Sequence, residues 1–180
     1  MRELSLHILD IIQNSIAAQA SLIKLSIDEE IEEDILGIKI SDDGCGMSEE
    51  MKEKVLDPFV TSRKTRKVGL GLSLFKAIAE ACEGDLELDS KLDQGTEVVA
   101  QFKYSHIDRP PLGDMVGTII TLLALNPNLD LIYIHSVDGQ EFSFNTRLIR
   151  DELGGLAINN QEILSWIDNY LTEGLKELRG

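Results

Sequence analysis

At 180 residues the chain has room for one full domain and a small appendage, and can bury a core without disulfides or metal. Its 43% hydrophobic and 27% charged residues exclude a disordered chain. With 32 acidic against 17 basic residues the formal charge is −15, a field that repels polyanions and argues against nucleic-acid binding.

Residues 3–20 carry Leu9, Ile12, Ile16 and Ala20 along one stripe, the period of an amphipathic helix, with His7 reading as a surface residue of that helix. Residues 22–28 alternate, Ile23, Leu25 and Ile27 inward and Leu22, Lys24 and Ser26 outward, as a half-buried strand does. The acidic run Asp28, Glu29, Glu30, Glu32, Glu33 and Asp34 reads as a solvated loop, or alternatively as a docking surface for a basic partner. Residues 37–41 form the next strand. Ser48, followed by Glu49 and Glu50, caps a short helix that ends near Leu56, before Pro58. A polar, basic stretch over 60–68 leads into Gly69-Leu70-Gly71, which opens a helix to about Glu83 with Gly84 as its stop. Residues 85–90 and 96–103 alternate as strands about a turn at Asp93-Gln94-Gly95. This order, helix–strand–strand–helix–helix–strand–strand, is an α+β layer rather than a βαβ repeat.

Composition shifts at Asp108-Arg109-Pro110-Pro111, which divides the chain into a first domain over 1–105 and a small C-terminal α/β extension over 106–180. The extension is predicted to hold a helix near 112–125, strands at 129–136 and 140–145 about an Asp138-Gly139 turn, and a final helix over about 160–178. Ile163, Leu164, Ile167, Leu171 and Leu175 form the stripe of that last helix. Extra packing, dimerisation and partner binding are its expected roles.

Three segments carry chemistry. Asp10 and Asn14 stand four residues apart and project from the same helix face. An amide oxygen there suits a hard cation such as Mg²⁺, and a carboxylate one turn away can orient water. Next, Asp42-Asp43-Gly44-Cys45-Gly46 follows a strand, where glycines let backbone approach a ligand and an ionised carboxylate accepts the exocyclic amino group of adenine. The third runs from Asp57 through Phe59, Arg63, Lys64, Arg66 and Lys67 to Gly69, Leu70 and Gly71: a dense cationic stretch before a helix start, where free N–H groups favour phosphate. The spacing matches neither Gly-x-x-x-x-Gly-Lys-Ser/Thr nor a dinucleotide fingerprint after a strand.

In this order the segments resemble the gyrase, heat-shock chaperone, histidine kinase and mismatch-repair (GHKL) ATPase superfamily over residues 1–104. The closest resemblance is to stand-alone histidine-kinase-like or anti-sigma-factor-kinase-like domains. It implies a mixed sheet with helices on one face, ATP held between helices and a lid, and Mg²⁺ bridging Asn14 to the phosphates. Asp42, Gly44 and Gly46 match the first glycine box, Phe59 the phenylalanine box, and Gly69, Leu70 and Gly71 the second glycine box, with Arg63 and Lys64 as lid cations. Thr96 matches the threonine that helps hold adenine through water. Asp10 stands where gyrase and mismatch-repair members place a catalytic Glu and many histidine kinases an Asn, so the resemblance assigns it the base, one methylene shorter. Ala17 stands where histidine kinases place a lysine.

The expected function is a Mg²⁺-dependent regulatory ATPase or a serine- or histidine-kinase-like protein kinase, with only 13 residues before Asn14 and hence no phosphoacceptor domain of its own. The alternative is a non-catalytic ATP-dependent switch or assembly subunit. Cys45 and Cys82, without paired spacing, fit free thiols in a reducing compartment. The opening residues lack a signal-peptide plan, and the apolar run at 115–125 is too short to span a bilayer, so a cytoplasmic location without membrane contact is expected. His7, His106 and His135 are isolated, which leaves no metal site of protein ligands alone.

Overall fold

The computed structural model describes residues 2–57 and 66–180, with 66–70 described by their backbone. The elements are α1 (Leu4–Ala17), β1 (Leu22–Glu30), β2 (Ile35–Asp42), α2 (Glu49–Leu56), α3 (Arg66–Ala81), β3 (Asp85–Lys91) and β4 (Gly95–Lys103). They continue as α4 (Met115–Leu125), β5 (Asp130–Val137), β6 (Gln140–Asn145), α5 (Thr146–Glu152) and α6 (Gln161–Leu178). The strands form one sheet in the order β3-β4-β2-β1-β5-β6. All neighbours are antiparallel except β1 and β5, so the sheet is mixed and the fold α+β, as expected.

Alternation on each strand selects the buried face. Leu25 stands opposite Ile40 on one side and Tyr133 on the other, Ile27 opposite Ile38 and His135, and all six are buried. Ile8 of α1, Phe75 of α3, Ile119 of α4 and Ile167 of α6 close over that face in one apolar cluster. The opposite face presents Lys24, Lys39 and Gln101 to solvent, the one-sided burial that an antiparallel-rich sheet tolerates. Among the described residues no helix is long and apolar enough to cross a membrane.

The division at 105/106 falls in the connection from β4 to α4. Beyond it, β5 runs parallel to β1 from Leu22↔Asp130 to Glu29↔Val137, so residues 106–180 lengthen the sheet that the first 105 begin. The Asp138-Gly139 turn has φ of 46° and 88°, the two left-handed residues of a tight hairpin. Ser48 caps α2 as expected, its hydroxyl accepting from Met51 N–H.

Three expectations are corrected. His7 is 2% exposed, because α3 and α4 both pack on α1 and widen its buried arc to Leu4, His7, Ile8, Ile11 and Ser15. Its ring stacks on Phe75 with centroids 6.0 Å apart. Glu29 is not a loop residue: β1 runs on to Glu30, the alternation continues past Ile27, and Glu29 lands on the core face at 3% exposure. Finally, α3 starts at Arg66, so Gly69 and Gly71 lie within its first two turns instead of opening it. Glycine in a helix costs only about 1 kcal/mol against alanine, and buried Leu72 and Phe75 anchor the helix through them.

Candidate functional site

A cavity of about 240 Å³ lies between α1, the end of β2, the loop after it, β4 and Leu72 of α3. Asp42 stands in its wall. Its Oδ2 accepts the Ser15 hydroxyl at 2.6 Å and its Oδ1 accepts Gly44 N–H at 2.8 Å. Held at both oxygens by donors, the carboxylate has lone pairs left for a donor in the cavity. Asp43 turns the other way, taking Ser21 N–H, the Ser21 hydroxyl and Leu22 N–H. Burial opposes the Asp43 charge, but those donors from Leu22 and Ser21 outweigh it and hold the carboxyl below the usual range. Of the two adjacent acids, Asp42 faces the cavity and Asp43 pins the chain between α1 and β1.

The loop after β2 is clamped from both sides. Cys45 N–H donates to Ala18 O at 2.9 Å, Asp93 N–H to Cys45 O at 2.8 Å, and Met47 N–H to the Ser90 hydroxyl at 2.8 Å. Gly46 has φ of 68°, and a Cβ there would fall 1.9 Å from Lys91 O. Gly95 has φ of 92°, and a Cβ would fall 2.0 Å from Asp42 O. At both positions backbone passes against backbone, which only glycine permits. Thr96 stands directly across from Asp42 in the β2–β4 register, and its side chain joins the same cavity wall.

At the other end Asn14, Asp10 and Gly71 converge. A Cβ on Gly71 would lie 3.7 Å from Asp10 Cβ and 3.8 Å from Asn14 Nδ2, so the bare glycine leaves space above both. Asn14 Nδ2 is buried with no hydrogen-bond partner. A buried amide end without a partner is costly, and rotation of the amide can bring its oxygen to the same place. The N–H end suits an acceptor oxygen of a ligand, and the rotated oxygen suits a hard cation completed by ligand oxygens. Among the described residues no cluster of three His, Cys, Asp or Glu could hold a metal on its own. Asp10 is paired with Arg2, Nη2 to Oδ2 at 2.9 Å, on a half-exposed surface. Gly69 and Leu70 lie in the backbone of α3. The expectations for Phe59, Arg63 and Lys64 lie outside the described residues.

Residues 2–106, more than half of the chain, match the family model described as histidine kinase-, DNA gyrase B-, and HSP90-like ATPase. The chain belongs to this ATPase family. It is 35% identical over 102 residues to the sensor histidine kinase WalK of Bacillus subtilis (strain 168), covering 53% of this chain and 17% of WalK. It is 31% identical over 139 residues to the CAI-1 autoinducer sensor kinase/phosphatase CqsS of Vibrio cholerae serotype O1, covering 77% of this chain and 19% of CqsS. The chain therefore spans less than a fifth of the length of these relatives. Among solved structures, the N-terminal domain of a DNA repair protein shares the fold with a TM-score of 0.56 at 14% identity, covering 81% of this chain and 52% of that one. That 81% exceeds what residues 1–105 supply, so part of the extension shares the fold as well.

Within this ATPase fold the structure brings Asn14, Asp42, Gly46 and Thr96 to one cavity, while Asp10 and Gly71 adjoin Asn14 without lining it. Sequence reasoning missed Ser15, Ser90 and Arg2. Ser15 follows Asn14 and falls on the buried side of α1, and Ser90 shares the inward phase of Leu86 and Leu88 on β3, so periodicity held the signal for both. Arg2 precedes α1 and carried no such signal.

Proposed function

We propose that this chain binds ATP with Mg²⁺ in the cavity beside Asp42 and acts as a regulatory ATPase or a protein kinase of the histidine-kinase-like type. The observation that carries this is Asp42: a carboxylate with both oxygens already accepting, aimed at a cavity large enough for a base. Such an acceptor pairs with the exocyclic amino group of adenine and is repelled by the 6-oxo group of guanine. The phosphates would extend toward Asn14 and Gly71. Asn14 would hold Mg²⁺, whose charge offsets that of the phosphates. Asp10 is the base that would orient water, once freed from Arg2. Family membership and the similarity to sensor kinases support the kinase branch. Residues 106–180 are the proposed contact for a protein partner or a second copy, and a cytoplasmic setting fits the reading.

The Arg2–Asp10 pair favours a second reading, a switch that binds ATP without turning it over, since the carboxylate is engaged. Calorimetric titration of ATP with and without Mg²⁺, with single-turnover hydrolysis alongside, separates the two. Asp42→Asn is expected to lose ATP binding, and Asn14→Ala to lose its Mg²⁺ dependence. Hydrolysis that Asp10→Asn abolishes while binding survives supports the enzyme. Binding without turnover in any variant supports the switch, and no ATP binding by the wild type rejects the site.

A further inference from the structure

The Ser90 hydroxyl is 3% exposed and lies behind the cavity wall. It has three neighbours: Met47 N–H at 2.8 Å, Gly95 O at 3.1 Å and Thr96 Oγ1 at 2.8 Å. A hydroxyl donates once and accepts twice. Met47 N–H can only donate, so it fills one acceptor position of Ser90. Gly95 O can only accept, so it takes the single Ser90 proton. The Thr96 contact is then a hydrogen bond only if the Thr96 hydroxyl donates to Ser90. The reverse polarity would leave Gly95 O facing a Ser90 oxygen with no proton between them. One arrangement alone satisfies all three contacts.

Thr96 thus spends its proton inward and presents lone pairs to the cavity. Asp42, directly across the β2–β4 ladder, does the same, with its two oxygens already accepting from Ser15 and Gly44. We infer that Ser90 is a positioning residue for nucleobase selection: it fixes the Thr96 hydroxyl as an acceptor beside Asp42. Two acceptors side by side, in direct contact, match an exocyclic amino group, which brings two protons. A 6-oxo group brings none and meets lone pairs at both. Ser90 also anchors the Met47 end of the glycine loop, so base selection and loop position depend on one buried oxygen. The inference rests on the ATP reading and deepens it.

The test is the ratio of affinities for ATP and inosine triphosphate, whose base carries a 6-oxo group and an N1–H donor where adenine has a 6-amino group and an N1 acceptor, without the 2-amino group that complicates guanine. Both are titrated against wild type, Ser90→Ala, Thr96→Val and the double variant. Ser90→Ala frees Thr96 to donate, and is expected to lower the ATP preference about tenfold. Thr96→Val should lower it similarly, and the double variant no further than either single change, because both remove one acceptor. Thr96→Ser keeps the hydroxyl and should keep the ratio, which a general loosening of the fold would not predict. Should Ser90→Ala fail to fold, Ser90→Cys and Thr96→Val carry the same expectation. An unchanged ratio in the variants, or effects that multiply in the double, overturns the role of Ser90 while leaving ATP binding in place. A wild type that binds neither nucleotide rejects the underlying reading, and this inference with it.

Discussion

The two ends of the sheet treat buried polar groups in opposite ways. On the β1–β5 side, Glu29 is enclosed by donors: His135 Nε2 at 2.7 Å, Arg179 Nη2 at 2.5 Å and Tyr104 Oη at 3.3 Å, while Tyr133 Oη lies 2.7 Å from the other nitrogen of His135. The carboxylate accepts from Nε2–H, so a neutral ring accepts the Tyr133 hydroxyl at Nδ1. Burial raises the pKa of that hydroxyl, which makes it a poor nucleophile despite the hydroxyl–imidazole–carboxylate order. Every polar group in this network is answered within the protein. On the β2–β4 side, Asn14 is left unanswered, and Asp42 keeps lone pairs open to a cavity. A closed network holds the extension to the ATPase fold, whereas the open one lies where the nucleotide is proposed to bind. The contrast teaches that burial of charge alone does not mark a site; unspent hydrogen-bonding capacity that faces a cavity does.

The sharpest way to break the comparison is to open the closed side. His135→Phe keeps a ring but removes a donor from Glu29 and the acceptor of Tyr133. Breaking one partner of a buried ionic network costs about 3–5 kcal/mol, and a value near 3 is expected because Arg179 remains. Urea denaturation at pH 7 measures it; a loss under 1 kcal/mol would show that solvent reaches Glu29 and that the network is not closed.

The next effect is read by pH. Burial opposes ionisation of Glu29, but hydrogen bonds from His135 and Arg179 prevail and hold its pKa at about 2, against an ordinary 4.5. The folded state then binds fewer protons than the unfolded chain across that window. Stability is fully present above pH 4.5 and is lost as pH falls toward 2, on the order of 3 kcal/mol in all. Glu29→Gln should flatten this part of the pH profile of unfolding, and a profile parallel to the wild type would refute the assignment.

How much of this was legible in the sequence follows from the range of each contact. Asn14 and Asp42 each sit in a local pattern, a helical face and a strand end, and the structure brings them to one cavity. The hairpin at Asp138-Gly139 and the cap at Ser48 are likewise local chemistry, and both formed where expected. Glu29 was misread because its partners are 106 and 150 residues away, and nothing nearby announces that β1 continues. The sheet order was hidden for the same reason: parallel pairing of β1 with β5 joins segments separated by a crossover that no local signal specifies.

His7 tests whether an unanswered polar group is costly when no ligand is due. Neither ring nitrogen has a partner. Burial pushes its pKa down, the nearby Arg2 charge adds to this, and Asp10 opposes. With the folded pKa below the unfolded value, the unfolded chain binds the extra proton, so stability declines as pH falls through about 6.5. His7→Phe retains the stacking on Phe75 and is expected to stabilise by about 1 kcal/mol at pH 7, and by more at pH 5.5. Thermal melts at the two pH values check this, and a destabilised variant would mean that the imidazole makes a bond worth keeping.

The smallest effect on stability is expected at Asn14, the residue proposed to hold Mg²⁺. Asn14→Leu exchanges an amide with one unpaired buried end for an apolar group of similar size, so the ligand-free melting point should stay within the shift produced by about 0.5 kcal/mol. A group kept for folding would not be so dispensable, and a group kept for a ligand would be. Added ATP with Mg²⁺ stabilises whatever binds it by mass action, so the wild type should gain several degrees at saturating nucleotide. The variant should gain far less. If instead Asn14→Leu lowers the ligand-free melting point as much as His135→Phe does, then Asn14 belongs with the closed network. The division of the molecule into an answered side and an open one would then have to be redrawn around Asp42 and Thr96 alone.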